Sequence, residues 1–566
     1  MKRRLLPMMM TLVLVCALPI WAAFVTSGDV TNPLVSTAWA DTAEGERNSG
    51  TTQETFTEVT DETTLKKAVA DGKSVRMTRD ITLTSSLHIE KAVTLDMDGH
   101  MLTRMHMDEY DMVVIRSDAT LTLIDSNTGN LQHRFNAGET GWTKAADNAT
   151  GDGIVTVTGG VIYGDAGSSI INPCGIKILK GKLEMYGGSI VGIRNDYNAN
   201  GGGVYVSDQC TFNMYGGSIK GCYVFSDGGG VYVAENGTFT MSGSSAITNC
   251  KGSRGGAVYN AGTFTMRDNS HIADCIYNSS IASGGGVHNK GTFTVEGGSI
   301  TGSVNDHNRE QSSDDICNEN KLDVSEGITI SCNVNVGYGG TISKGTFTGR
   351  VWIFWEGTIL GGTFTNEVIN YEGTIKAGEF TGEVTNTSGG TISGGTFDKN
   401  VANESGATIS GGTFNENVTN KTNATLNGGI FYGGVTNDGG KIEDGAYETV
   451  KFNSDNGAQA KEEKVLRGQK VAKPTDDPTK SGYTFIGWED ADGAYDFSKS
   501  VTAPLTLTAK WEKNPSSGGY YYYPTTDTKA DDTKGSPKTA DPGVALYAAL
   551  SILSLTGMVA LNGKKR

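Results

Sequence analysis

What this chain lacks narrows it first. Eight cysteines are spread over 566 residues, and Cys16 lies in the leading apolar run. The other seven are odd in number and irregular in spacing, which makes a poor disulfide framework. No Cys-x-x-Cys pair and no histidine cluster occurs, so neither a metal site nor a cofactor is expected. No long Lys/Arg stretch is present and the formal charge is -16. That balance excludes a nucleic-acid partner as a working expectation and leaves acidity as a solubility feature. Long apolar runs are confined to the two ends, and the repeat over residues 339–447 shows no 3.6-residue stripe.

Glycine is abundant instead, with 78 residues, about twice the usual share. Between residues 339 and 447 one phrase recurs. Its aliphatic mark steps through Ile342, Ile359, Ile375, Ile392, Ile409, Leu426 and Ile442, at intervals of 17, 16, 17, 17, 17 and 16 residues. Phenylalanine keeps pace from Phe347 to Phe431, with Tyr447 last, and valine marks a third side from Val351 to Val435. Apolar marks separated by glycine break a helical stripe, whereas Thr, Val, Ile and Phe suit a pleated surface. The pattern predicts a solenoid with three short strands per turn, each pointing one main side chain into a narrow core. No single turn buries enough to stand alone, so stability must come from stacking. Asn370, Asn386, Asn403, Asn420 and Asn437, each two residues after a valine, predict an amide ladder along the axis.

A wider repeat precedes it. Its phrases include Gly201-Gly202-Gly203-Val204-Tyr205-Val206, Gly228-Gly229-Gly230-Val231-Tyr232-Val233 and Gly284-Gly285-Gly286-Val287-His288-Asn289. Val204, Val231, Val258 and Val287 are 27, 27 and 29 residues apart. Second and third strands are expected at Phe212, Phe239, Phe264 and Phe293, and at Ile219, Ile247, Ile272 and Ile300, with the extra residues in edge loops suited to binding. Cys222, Cys250 and Cys275 each follow an isoleucine by three, in line with Ile193 and Ser303, and read as a core column. Upstream, residues 61–72 read as one short helix capped by Asp61 or Thr63 and ended by Gly72. Short alternating strands follow around Val75, Ile81, Leu87 and Val93; insertions are expected over residues 125–153, and residues 314–333 read as an irregular joint.

The helix and strand series resembles the start of right-handed parallel β-helix proteins of the pectate-lyase type, in which the helix plugs the open end of the coil. The glycine-rich phrases resemble repeats of bacterial surface β-helix proteins. Beyond Tyr447 the period stops. Val450-Lys451-Phe452, Gly482-Tyr483-Thr484-Phe485-Ile486-Gly487-Trp488 and Leu505-Thr506-Leu507-Thr508-Ala509-Lys510-Trp511 resemble the Listeria/Bacteroides repeat, also called the internalin B-repeat. That resemblance implies a β-grasp-like module, a surface location and no catalytic residues.

The two ends carry targeting patterns. Lys2-Arg3-Arg4, an apolar run and Ala38-Trp39-Ala40 resemble a secretory signal peptide cleaved after Ala40; an uncleaved anchor is the other reading, and both export the body. Ser536-Pro537-Lys538-Thr539-Ala540, an apolar segment over residues 543–561 and Lys564-Lys565-Arg566 resemble the sorting signal of Gram-positive cell-wall proteins. The resemblance implies sortase and peptidoglycan as partners, with attack at the Thr539 carbonyl. Ser536 and Ala540 depart from the common Leu-Pro and Thr-Gly pattern, which leaves the sortase class open, and a retained membrane helix is the alternative fate of the apolar segment. The segments are therefore 1–40 signal, 41–60 polar leader, 61–174 cap and first turns, 175–335 wide turns, 336–447 narrow turns, 448–513 module, 514–535 spacer and 536–566 sorting signal.

Coils of the pectate-lyase type host polysaccharide lyases and hydrolases, so carboxylates matter. Asp96 and Asp98, two apart on a strand, would share a face near His100 and Arg104, which is the composition of an acid–base site on a sugar. The preferred reading of Asp96-Met97-Asp98-Gly99 is a strand end and turn, and Asp314-Asp315 is read as structural. Binding has its candidate in Val351-Trp352-Ile353-Phe354-Trp355: with Val351 inward, Trp352 points outward beside Phe354, and the pair can stack on a sugar ring. Packing of these aromatics against the wider coil at the joint is the preferred reading. The expectation is an all-β surface protein acting as an adhesin or display stalk for a host glycan or matrix protein, with a glycan lyase or hydrolase as the rival.

Overall fold

The computed structural model describes residues 55–515, apart from 105–110, 128, 130, 139, 165–173, 197–198, 280–282 and 306–314. The expected signal peptide, most of the polar leader, all of the spacer after residue 515 and the expected sorting signal lie outside the described residues.

The body is a right-handed parallel β-helix. One sheet of 17 strands runs from Thr57–Val59 to Lys441–Ile442, and a second of 15 runs from Leu87–Ile89 to Val435–Asp438. Both cross from the wide turns to the narrow turns without a break. The third side changes hands: eight strands, ending at Ser299–Thr301, serve the wide turns, and seven, from Thr329–Ile330 to Ile430–Phe431, serve the narrow ones. At about 4.8 Å per strand the 17-strand sheet makes a rod of roughly 80 Å.

The three marks read from the narrow repeat are the inward residues. Ile342 pairs in register with Ile359, Phe347 with Phe364 and Val351 with Val368, and all six are buried. The phenylalanine rings stack 4.7–5.1 Å apart from Phe347 to Phe431. Two residues before each of these rings, at Gly345, Gly362, Gly378, Gly395, Gly412 and Gly429, the backbone turns the corner at φ of 103–130°. Side chains rarely adopt that conformation, so this corner demands glycine in every turn.

Three features depart from the sequence reading. Each wide turn has a fourth short strand, such as Tyr223–Val224 and Lys251–Gly252, which builds a five-stranded sheet of its own. The expected irregular joint is instead an ordinary turn in its described part: Leu322 pairs with Phe293 on one side and Ile342 on the other. Its strands escaped notice because Asp, Asn and Cys dilute the apolar marks. Lastly, Thr57–Val59, placed in the polar leader, is the terminal strand of the longest sheet and pairs with Val75–Met77. The insertion after Asp125 folds as a small antiparallel sheet, Gln132–Asn136, Thr143–Lys144 and Ile154–Thr158, over Phe135, Trp142 and Val157.

Both ends of the coil are covered, as exposed strand edges and core require. At the first turns sits the helix Glu62–Asp71, with Asp61 accepting from the Thr64 N–H at 2.9 Å, Gly72 at φ 77° and Leu65, Ala68 and Val69 buried. Glu62 ties it down: its carboxylate meets Lys66 Nζ at 2.5 Å and accepts from Thr84 N–H at 2.9 Å and Thr84 Oγ1 at 2.6 Å. Burial alone would raise this carboxyl, but those bonds outweigh it and pull its pKa down to about 2. A depressed folded-state pKa gives stability that is full above the ordinary value of 4.5 and lost as pH falls through about 2. Amide protection over residues 62–71 is therefore expected to fall as pH drops from 4.5 towards 2, and Glu62→Gln should flatten that dependence.

The other end is closed by the module. Its strands Tyr447–Asn453, Lys461–Leu466, Tyr483–Asp490, Gly493–Ala494 and Leu505–Lys513 form one mixed sheet around Val450, Phe452, Trp488 and Leu507. Read in the sequence as a separate unit, it docks on the last turn. Phe431 N–H donates to Arg467 O at 2.8 Å, Gln469 Nε2 donates to the Phe431 and Tyr432 carbonyls, and Leu466 packs against the coil core.

Candidate functional site

Along the second sheet the inward residues alternate with an outward column: Lys177, Tyr205, Tyr232, Tyr259, His288, Cys317, Asn335, Trp352 and Ile369 stand in register. The rings from Tyr205 to His288 stack at 5.0, 5.0 and 5.3 Å, within 14° of parallel. Charged pairs flank them. Arg254 holds Asp227 through two bonds of 2.9 and 2.6 Å, with its guanidinium 5.1 Å from the Tyr259 ring centre. Burial is the main force on the Tyr259 phenol, pushing its pKa up to about 12 against the pull of Arg254.

The column passes from half-buried at Tyr205 and Tyr232 to buried at Tyr259 and His288. There a cavity of about 520 Å³ opens, lined by Arg254, Ser283, His288, Lys290, Glu319 and Tyr338 among others. Glu319 Oε2 lies 3.2 Å from Lys290 Nζ, and Oε1 lies 3.2 Å from His288 Nε2. Burial raises the Glu319 carboxyl, but the neighbouring His288 and Lys290 outweigh it and leave it below the usual carboxylate range. His288 is 1% exposed, and its approach to Glu319 is out of line for a hydrogen bond, so neither ring nitrogen has a hydrogen-bond partner.

Tyr338 links this cavity to an open aromatic edge. Tyr338, Trp355 and Tyr371 are 51%, 42% and 39% exposed. Trp355 lies 4.9 Å from Tyr338 and 5.8 Å from Phe354, and Phe354 lies 6.1 Å from Tyr371. Trp352 does point outward between Asn335 and Ile369, half-buried with Arg350 5.9 Å from its ring. Phe354 does not flank it in the expected pair; it belongs to the edge cluster, because the strand ends at Ile353 and the chain turns at Trp355 with φ 34°.

Asp96 and Asp98 are not set out on one strand face. The strand ends at Asp96, and Asp98 sits in a left-handed turn at φ 44°. Asp96 is fully buried and bonded to Arg76, Ser126 and the Asp98 N–H. His100 faces Asp80 at 3.5 Å instead. Asp315 accepts from the Ser303 and Asn333 N–H groups and so pins the wide turns to the narrow ones; Asp314 lies outside the described residues. No disulfide forms among the described residues, and Cys222, Cys250 and Cys275 line the core.

The cluster of His288, Cys317 and Glu319 was not singled out in the sequence, because residues 29 apart touch only once the coil is wound. Its signal was the middle letter of the repeated Val-Tyr-Val phrase, where histidine replaces tyrosine at 288.

Fold and site together define an elongated β-helix with an exposed aromatic edge and a capping terminal module. Residues 449–510 match the Listeria-Bacteroides repeat domain; the match covers the module and not the coil. This repeat is typical of surface proteins and supports an extracellular or surface location. No curated protein and no solved structure matches the chain. Among the described residues, no helix is long and apolar enough to cross a membrane.

Proposed function

We propose that the chain is a surface-displayed adhesin that binds a glycan along one edge of a rigid coil and performs no enzymatic step itself. The observation that carries this reading is the run of exposed Tyr338, Trp355 and Tyr371, bridged by half-buried Phe354, beside a cavity lined by Arg254, Lys290 and Glu319. Open aromatic faces cover the apolar faces of sugar rings, and a few fixed polar groups beside them bond the hydroxyls. The terminal repeat supports display at a surface. Residues 536–540, the apolar segment 543–561 and the basic residues after it support attachment to peptidoglycan by a sortase at Thr539.

A glycan array probed with the purified chain tests the reading. Trp355→Ala and Tyr371→Ala are each expected to weaken the retained glycan by roughly 10-fold, the worth of one lost ring contact of about 1–1.5 kcal/mol. Undiminished binding in both variants would place the site elsewhere. Release of unsaturated or reducing ends from the bound glycan would sink the non-enzymatic reading.

A further inference from the structure

We propose that His288, Cys317 and Glu319 form a transition-metal site of the zinc class, with its open coordination position facing the cavity. The three are brought together by the winding of the coil. His288 and Cys317 are register partners on adjacent strands, Val287–Asn289 and Ile316–Asn318, and Glu319 lies two residues further on. One ligand atom from each lies within 4.8 Å of the other two. A tetrahedral ion with bonds of about 2.0–2.3 Å separates its ligands by roughly 3.4–3.8 Å, so side-chain rotation closes the set.

Two independent observations point to a ligand here. The imidazole is buried with neither nitrogen hydrogen-bonded and Nε2 meeting Glu319 Oε1 only out of line at 3.2 Å, a state that costs free energy and that a metal on Nε2 relieves. The cavity of about 520 Å³ beside it leaves room for a fourth ligand from solvent or substrate. The surroundings suit the role. The Tyr259 ring, stacked at 5.3 Å and 7°, fixes the imidazole plane. Lys290 engages Oε2 of Glu319 at 3.2 Å, leaving Oε1 on the His288 side as the donor. One nitrogen, one sulfur and one oxygen ligand favour zinc over calcium or magnesium, which take oxygen alone. On binding, the ion replaces the Cys317 thiol proton, which leaves to solvent.

The full chain, stripped with a chelator and titrated with Co²⁺, tests this. A thiolate-to-cobalt charge-transfer band and the strong visible bands of a four-coordinate ion are expected at one ion per chain, both bleached by Zn²⁺. Cys222 and Cys250 lie in the core with thiols pushed up by burial, so they do not supply the thiolate. Cys317→Ser should abolish the charge-transfer band. Glu319→Gln and His288→Gln should each weaken Zn²⁺ by more than the roughly 10–100-fold typical of losing an outer-shell partner. An absent band in the unaltered chain, or an unchanged band in Cys317→Ser, would overturn the proposal. The bands do not depend on glycan binding, so this site and the adhesin reading fail separately.

Discussion

Replacing Asn403 with leucine is expected to destabilise the narrow coil by on the order of 3–5 kcal/mol, although it puts an apolar side chain into an apolar core. Asn403 is fully buried in the middle of a ladder. It accepts from Asn386 Nδ2 at 2.9 Å and donates from its own Nδ2 to Asn420 Oδ1 at 2.9 Å and Thr425 O at 3.2 Å. Leucine would leave one Asn386 N–H unpaired, the other keeping its bond to Thr408 O at 3.2 Å, orphan the Asn420 acceptor and take a bond from the Thr425 carbonyl. Each buried unpaired group costs roughly 1–3 kcal/mol, more than the leucine returns by burial. The measurement is the urea midpoint of Asn403→Leu, with Thr419→Leu on the outward face as the control, which should move little.

The ladder's polarity explains why it is long. Every amide donates towards the next turn, so each ladder leaves one acceptor without a partner at its start. Those acceptors are Asn370 Oδ1, preceded in register by Ile353, and Asn260 Oδ1, preceded by Val233. The second ladder runs Asn260 to Asn289 to Asn318 at 2.7 Å per link. One orphan is left whether a ladder has three members or five, so extension adds bonds without adding orphans. A break in the middle creates new ones.

Much of this was legible before the coil was wound. Period, inward residues and the Asn370–Asn437 ladder follow from spacing, because identical side chains stacked at one strand's distance must recur once per turn. The helix Glu62–Asp71 was legible from Asp61 and Gly72, whose cap roles are local. The fourth strand of the wide turns was not: two-residue strands such as Tyr223–Val224 carry too few side chains to show alternation. The joint at 314–333 was hidden by its diluted apolar marks and also by what hid His288, Cys317 and Glu319. Their meaning lies in a register between turns of unequal length, and a 29-residue step followed by shorter ones leaves no constant spacing in the sequence. The aromatic edge was half legible. Alternation placed Trp352 outward, but it runs out at Ile353, and only the turn conformation brings Phe354, Trp355 and Tyr371 together.

Asp96→Ala is expected to lower stability by about 3 kcal/mol while leaving glycan binding at the aromatic edge unchanged. The carboxylate is fully buried between the strand end and the next turn. Its Oδ2 meets Arg76 Nε at 2.7 Å and Ser126 Oγ at 2.8 Å, and its Oδ1 accepts from the N–H groups of Asp98 at 3.1 Å and Ser126 at 2.9 Å. Truncating one partner of a buried pair costs about 3–5 kcal/mol. Arg76 is 37% exposed at its side chain and can rehydrate, which sets the lower end; the two backbone donors cannot turn away. Asp98→Ala removes one 3.2 Å bond to Ser126 Oγ from a half-buried position and should cost well under half as much. An acid–base pair on a sugar would behave otherwise: both variants would lose turnover alike, with little change in melting. Thermal unfolding of the two variants, run beside a product assay on any glycan the array retains, separates a structural carboxylate from a catalytic one.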